Sequence, residues 1–399
     1  MKRLLATICM ALLLSGCSGP WERIFVKRDE STKIHAIWVA FPDYEKILMG
    51  KTRQQFEVEV HNMMTNLESL GINTIYLHAS FYTDAIYESQ YYPWSIYASG
   101  TLGKPLDYDP FEIILNEATL SKIKVEAWIN PLRSLREDEI VKVDDKYPIK
   151  QWYNDKVLRK QNLMLVDGRY YMNPGSEDVI ELIENVVEEL IGKYNISGIH
   201  IDDYFYPAGV ANQDAETYQK YVVENPEASI EEYRVSTINN LVRRMFLKIK
   251  NIKSGLVFSI SPIANIERNL TENYADVEKW ITEGGYCDVI IPQIYFGFEH
   301  DLMPFEEVVK SWEQIMNKKV RIVYGLSAYK IGENDAMAGS GKSEWIESIG
   351  ILANQYKVVS KSKYYDGIAL YRYYMMFYPE KRIKEQMKVE LSKLKDMIK

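Results

Sequence analysis

Residues 198–207 read Gly-Ile-His-Ile-Asp-Asp-Tyr-Phe-Tyr-Pro, an apolar run that ends in two carboxylates. Gly198, Ile199 and Ile201 suit a strand buried in a parallel sheet. The two-residue alternation of a strand sends His200 and Asp202 to the face opposite the isoleucines. If that face is a barrel interior, Asp202 and Asp203, followed by Tyr204 and Tyr206, stand where strand ends meet loops. Enzymes of the (β/α)8 architecture keep their chemistry at that position.

Working outward, the chain from Ile34 alternates short β-like runs with longer helix-like ones, the pattern of βα units on a parallel sheet. Eight units are countable. Strands are expected at 36–41, 74–79, 125–130, 198–202, 257–261, 289–295, 321–326 and 367–371. Helices are expected at 52–70, 110–122, 177–194, 229–250, 277–283, 303–317, 343–362 and 380–398. Asp109-Pro110 places a capping carboxylate before a first-turn proline, Gly71 follows the first long helix, and Ser176-Glu177-Asp178 opens another with acids in its first turn. Pro292 removes a ladder hydrogen bond from the sixth strand, which is therefore expected to be bulged or broken. The connections after strands two, three and four are long, at 80–109, 131–176 and 204–228. Neighbouring long loops on one face of a rigid scaffold wall a cleft, or else are plain insertions. The expected fold is α/β, a (β/α)8 TIM-like barrel with enlarged loops after strands 2, 3 and 4, as one domain over 34–399.

The 399 residues carry a net charge of -8, which argues against a general nucleic-acid surface. Lys2 and Arg3 precede an apolar run, 4–14, too short to span a bilayer, and it ends Leu14-Ser15-Gly16-Cys17. That ending resembles a bacterial lipobox. Residues 1–16 are read as a lipoprotein signal peptide, Cys17 as the lipidated N-terminus and 17–33 as a tether, which places the protein in a bacterial cell envelope, lipid-anchored to a membrane. Cys287 is then left alone, so no disulfide framework or cysteine metal site is available.

Acid/base cleavage of a glycosidic bond needs one protonated and one ionised carboxyl group. Asp202 and Asp203 are candidates, but adjacent residues seldom flank one bond from opposite sides. Glu299, just beyond the sixth strand, is the best remaining acid near a strand end. Other strand ends bring Trp38, His78, Asn130 with Arg133, Gln293 with Tyr295, Tyr329, and Tyr371 with Arg372. A barrel active site draws on many separate strand ends in this way. His78 and His200 are either cleft residues or hydrogen-bonded structural histidines. Arg133 either clamps an anionic substituent on a sugar or pairs with Asp202 or Asp203. With 30 tyrosines and 8 tryptophans in the chain, the aromatic second loop (Phe81, Tyr82, Tyr87, Tyr91, Tyr92, Trp94, Tyr97) is either a sugar platform or a small core of its own.

The strings IWVAF, YDPFE, VEAWINPLR, MNPGSEDVIELI, GIHIDDYFYP, FSISPIAN, DVIIPQIYFGF and YGLSAYK resemble the bacterial glycosyl-hydrolase-like family ten over about residues 34–372. That family includes lipoprotein hydrolases of denuded peptidoglycan glycan. The resemblance implies a (β/α)8 barrel that hydrolyses O-glycosidic bonds, with Asp202 and Asp203 in the acidic motif and Asn130, Arg133, Gln293 and Tyr295 lining the cleft. Two departures bear on substrate identity: IHAIWVAF lacks the usual arginine-glycine pair before the tryptophan, and YFGFEH lacks a tryptophan-bearing loop. The expected function is a glycoside hydrolase of an envelope glycan, peptide-free peptidoglycan strands first, with no cofactor and no metal. The alternatives are a glycan-binding lipoprotein without activity, a hydrolase of another polysaccharide, and a metal-dependent hydrolase or deacetylase built on His78, His200 and the aspartates.

Overall fold

The computed structural model describes residues 32–398. The leader, Cys17 and the tether up to residue 31 lie outside them. Eleven strands are described: β1 (Ile34–Val39), β2 (Thr74–Ser80), β3 (Lys124–Ile129), β4 (Arg133–Arg136), β5 (Leu163–Val166), β6 (Arg169–Met172), β7 (Gly198–Ile201), β8 (Val257–Ile260), β9 (Val289–Ile290), β10 (Arg321–Leu326) and β11 (Tyr365–Leu370). Eight of them close a barrel in the order β1-β2-β3-β7-β8-β9-β10-β11, with β11 back on β1. Every rung is parallel. The chain is a (β/α)8 barrel.

Side-chain alternation sorts the core into two layers. Ile37, Val39, Ile75, Leu77, Ile199, Ile201, Phe258, Ile260, Ile368 and Leu370 face outward and pack against the ring of helices. Ala36, Trp38, Tyr76, Trp128, Val289, Ile291, Val323 and Ala369 form a separate cluster inside the barrel. Large rings there need small partners across the lumen. A side chain at Gly325 would meet the Pro292 carbonyl at 2.8 Å and the Trp38 indole at 3.3 Å, so glycine admits both. Polar residues share the inner face. The Trp38 indole N–H donates to His200 Nε2 at 3.0 Å, and His200 Nδ1 meets Ser259 Oγ at 2.7 Å. The Ser259 hydroxyl in turn donates to Glu126. Because Nε2 accepts, Nδ1 carries the imidazole proton and every bond in the relay runs the same way, from β1 through β7 and β8 to β3.

Helix boundaries follow local chemistry. Thr52 opens the helix Arg53–Leu70 with a reciprocal capping box to Gln55, and Gly71 ends it at φ +80. Asp109 accepts from the Glu112 N–H at 3.0 Å ahead of Pro110. Three segments differ from expectation. The sixth barrel strand, expected over 289–295, is regular only at Val289–Ile290, and beyond Pro292 it survives as single bridges of Gln293 to Ile263 and Gly325. Proline has no N–H for the ladder, while its carbonyl still accepts from Gly325 N at 3.0 Å. The helix expected over 343–362 is broken into Glu344–Glu347 and Ile351–Val359 by Gly350 at φ +91. There the buried Glu390 carboxylate takes the N–H groups of Gly350, Ile351 and Leu352. Finally, the connection after β3 folds into a three-stranded antiparallel sheet, β4-β6-β5.

The loop after β2 turns its aromatics inward. Phe81, Tyr87, Tyr92 and Trp94 are buried, and Glu189 from the barrel's helical ring accepts from the Tyr87 and Ser89 hydroxyls and the Gln90 N–H. Most of that loop's rings are its own core. No helix among the described residues is long and apolar enough to cross a membrane.

Candidate active site

β7 ends at Ile201, so Asp202 and Asp203 are the first two residues past the strand, at the carboxyl end of the barrel. Both line a cavity of about 230 Å³ together with Trp38, Phe41, His78, Trp128, Tyr204, Ser261, Gln293, Tyr295, Tyr329 and Tyr371. It is smaller than the roughly 300–1,000 Å³ of a drug-sized site and matches a single sugar ring better than a long chain. Larger concavities exist on the outer helices and on the β5 side, but they contain neither aspartate.

Each carboxylate has its own partner. Asn130, immediately after β3, donates its amide to Asp202 Oδ1. Its carbonyl oxygen meets His78 Nε2 at 2.7 Å, so Nε2 carries the proton and His78 is the neutral Nε2–H tautomer. Burial holds that imidazole well below its ordinary pKa, and the ring lies flat on Trp128 at 3.6 Å and 7°. His78 therefore orients Asn130, and Asn130 orients Asp202. Asp203 is half-buried and accepts from Gln293 Nε2 at 2.9 Å, while the same amide also donates to the Ser261 carbonyl at 2.9 Å. Burial raises both aspartates above the usual carboxylate range. Asp202 is raised further by the charge of Asp203, whereas the Gln293 hydrogen bond favours the ionised form of Asp203. Both carboxyls are thus inclined to hold a proton, Asp202 the more strongly.

Across the barrel, Tyr295, Tyr329 and Tyr371 stand against one another with ring centroids 5.7–5.9 Å apart. They come from the ends of β9, β10 and β11, and the Tyr329 N–H is fixed to the Tyr371 carbonyl at 3.0 Å. Such rings offer apolar faces with polar edges, which suit the C–H faces of a sugar.

Other residues expected at the site lie elsewhere. His200 is fully buried one layer below, inside the Trp38–Ser259 relay and stacked on Tyr76 at 4.3 Å, so it does not line the cavity. Arg372 turns away to form an ion pair with buried Asp43. Tyr206 is buried against Tyr274 at 5.3 Å, because the chain has already left the extended conformation at Asp203 and two-residue alternation no longer applies. Glu299 is exposed and does not line the cavity; its backbone N–H is held by Glu344 at 3.0 Å, which pins this loop outside. Arg133 sits at the rim with its guanidinium carbon 4.2 Å from the Tyr204 ring centre, and it forms no ion pair with either aspartate. Among the described residues no group of three or more His, Cys, Asp or Glu is placed to hold a metal ion.

Three lining residues were not anticipated: Phe41, Trp128 and Ser261. Trp128 was accessible from strand periodicity, because it lies two residues before Asn130 and must share its face. Phe41 and Ser261 lie just past the ends of β1 and β8.

The chain is similar to curated proteins of the same description from two bacteria. It is 28% identical over 373 residues to "Glycosyl hydrolase DigH" of Escherichia coli (strain K12), covering 82% of each chain. It is 27% identical over 358 residues to "Glycosyl hydrolase YngK" of Bacillus subtilis (strain 168), covering 84% of this chain and 68% of that one. Among solved structures, the endo-1,4-β-mannanase from Rhizomucor miehei superposes with a TM-score of 0.51 at 11% identity, covering 92% of this chain and 94% of that one. The α-L-fucosidase isoenzyme 2 from Paenibacillus thiaminolyticus gives 0.53 at 12% identity over 92% of this chain, which spans 49% of the fucosidase. Identities that low speak for the barrel fold alone. The family model described as Glycosyl hydrolase-like 10 matches residues 33–342, a span that holds β1 to β10 and the acid doublet, and the chain belongs to that family.

Proposed function

We propose that this chain hydrolyses O-glycosidic bonds of an envelope glycan, with peptide-free peptidoglycan strands as its substrate. The observation that carries the reading is the doublet: Asp202 and Asp203 share a sugar-sized, aromatic-walled cavity at the carboxyl end of the barrel, each held by a different amide. Asp202, which keeps the proton, donates it to the departing glycosidic oxygen as the C1–O bond breaks. Asp203, which keeps the charge, stabilises the positive charge that develops on the ring, and the Asp202 carboxylate left by the first step takes the proton of the incoming water. The tyrosine wall holds the ring face, and Asn130 and Gln293 fix both carboxylates before substrate arrives. The peptidoglycan part of the reading rests on the resemblance of the sequence motifs. Attachment to a membrane through lipid on Cys17 rests on the Leu14-Ser15-Gly16-Cys17 string alone.

The test is hydrolysis of purified peptide-free glycan strands by the native chain, Asp202→Asn and Asp203→Asn, with products sized by mass spectrometry. Loss of turnover by about 10²–10⁴-fold in each variant, with strand binding retained, is expected. Native binding without turnover would instead indicate a glycan-binding protein, and unchanged turnover in both variants would overturn the site.

A further inference from the structure

We propose that Arg133 and Arg169 form an anion subsite on the rim of the cleft that takes a free carboxylate carried by the glycan. This deepens the reading of the chain as an envelope-glycan hydrolase and rests on it. Arg133 begins β4 and Arg169 begins β6, so both belong to the small sheet inserted after β3. Their guanidinium groups flank one aromatic ring, with Arg169 at 4.1 Å and Arg133 at 4.7 Å from the Tyr82 centroid. The Tyr204 ring follows at 4.2 Å from Arg133, completing a column of cation, ring, cation, ring. Tyr204 is exposed and lines the cavity beside the acid doublet, so the column leads from the inserted sheet to the reacting centre.

Buried Arg234 and partly buried Arg244, Arg321 and Arg372 each hold a carboxylate, whereas partly buried Arg159 holds only the Tyr153 carbonyl. Among the described residues Arg133 holds no carboxylate: no side-chain hydrogen bond or ion pair ties it, and its Nε is buried without a partner. Arg169 has a single bond, from Nη1 to the Ser134 carbonyl at 2.5 Å, and no carboxylate within ion-pair distance among the described residues. Two cations kept close together and stacked rigid, with Asp202 and Glu139 acting on them only from beyond ion-pair distance, are costly to maintain for stability alone. A planar carboxylate satisfies a guanidinium fork with two parallel bonds, and stacking on tyrosine fixes the fork's plane in advance. On an amino-sugar strand that carboxylate is the acid of the lactyl ether. A stem peptide converts it into an uncharged amide, so the subsite gives a physical reason for preferring strands without peptide.

The experiment compares kcat and KM of the native chain on peptide-free strands before and after their carboxyl groups are capped as methylamides, and repeats both with Arg133→Gln, Arg133→Lys and Arg169→Gln. Capping is expected to lower native kcat/KM about 30-fold, mostly through KM, as for loss of a charged hydrogen-bonded contact. In Arg133→Gln the acid-to-amide ratio is expected to fall towards one, with Arg133→Lys between the two. Equal rates of the native chain on acid and amide strands, or the same ratio in Arg133→Gln as in the native chain, would overturn the subsite while leaving the hydrolase reading intact. If the native chain cleaves neither strand, the hydrolase reading fails, and the same acid-to-amide ratio read as binding affinity still decides the subsite. Oligouronates added as competitors separate the two carboxylate sources: an acid-to-amide preference on peptide-free strands is expected, and inhibition by oligouronates without that preference would overturn the subsite as one for the lactyl acid. Circular dichroism of each variant checks folding, and Arg169→Gln supplies the test from the outer cation should Arg133→Gln fail to fold.

Discussion

Glu126→Gln tests the inner face of the barrel. Glu126 lies on β3 inside the lumen, and its carboxylate accepts from Ser259 at the end of the relay that starts at Trp38. Burial, with Asp288 adding to it, raises its pKa from 4.5 to about 8, against opposing contributions from the Ser259 hydroxyl and Arg321. Below about pH 4.5 both the folded and unfolded chains hold this proton, and the group does not bias folding. As pH rises towards 8 the unfolded chain has released the proton while the folded chain still keeps it, so stability falls by about 1.4 kcal/mol per pH unit. Between pH 4.5 and 7 the loss amounts to about 3 kcal/mol. Glutamine keeps an acceptor for Ser259 and has no proton to lose, so the stability of Glu126→Gln relative to the native chain is expected to climb by about 3 kcal/mol over that interval and level off above pH 8. The aspartate pair titrates in both proteins and cancels in the difference. Urea midpoints and slopes at half-unit steps of pH, read by circular dichroism, measure it. Two curves separated by a constant offset would refute the reasoning, because Glu126 would then be ionised in the folded barrel.

Three further outcomes are expected. Asp203→Asn removes the like charge beside Asp202, so the alkaline limb of its residual kcat/KM should move to lower pH than in the native chain; a limb that stays in place would mean that Asp202 is not the proton donor. Glu299→Gln should leave turnover of peptide-free strands within about twofold, measured as reducing ends released, since the side chain is outside the cavity. Glu390→Ala strands the buried N–H groups of Gly350, Ile351 and Leu352 and should lower stability by about 3 kcal/mol in urea unfolding, with Glu390→Gln losing less.

The barrel was legible because β1, β2, β7 and β11 carry outward isoleucine, valine or leucine at two-residue spacing, and because His200 and Asp202 interrupt that pattern on the other face. The same periodicity identified Trp38 and Asn130 and stopped being informative where strands ended. Tyr206 and Glu299 lie beyond that limit, and hydrogen bonds made by distant residues decide which way their loops run. The inserted sheet escaped notice because its strands are four residues each. Runs that short are marked mainly by the Asp167-Gly168 turn and by pairing partners more than thirty positions away. The break at Gly350 was hidden for a similar reason: the carboxylate that rewards it sits forty positions later.

The inserted sheet divides labour within one enzyme-like cleft. Its two ends are clasped where the Met172 N–H reaches the Leu132 carbonyl at 2.8 Å, so the excursion leaves and rejoins the scaffold at nearly one point. Asn130 stays on the scaffold side of that clasp and the stacked arginines on the other. In the proposed reading, changes within the excursion alter which decorations on a polymer are admitted while Asn130 keeps its place, provided the ties of Gln213 to Leu165 and of Asp178 to Asn162 are kept.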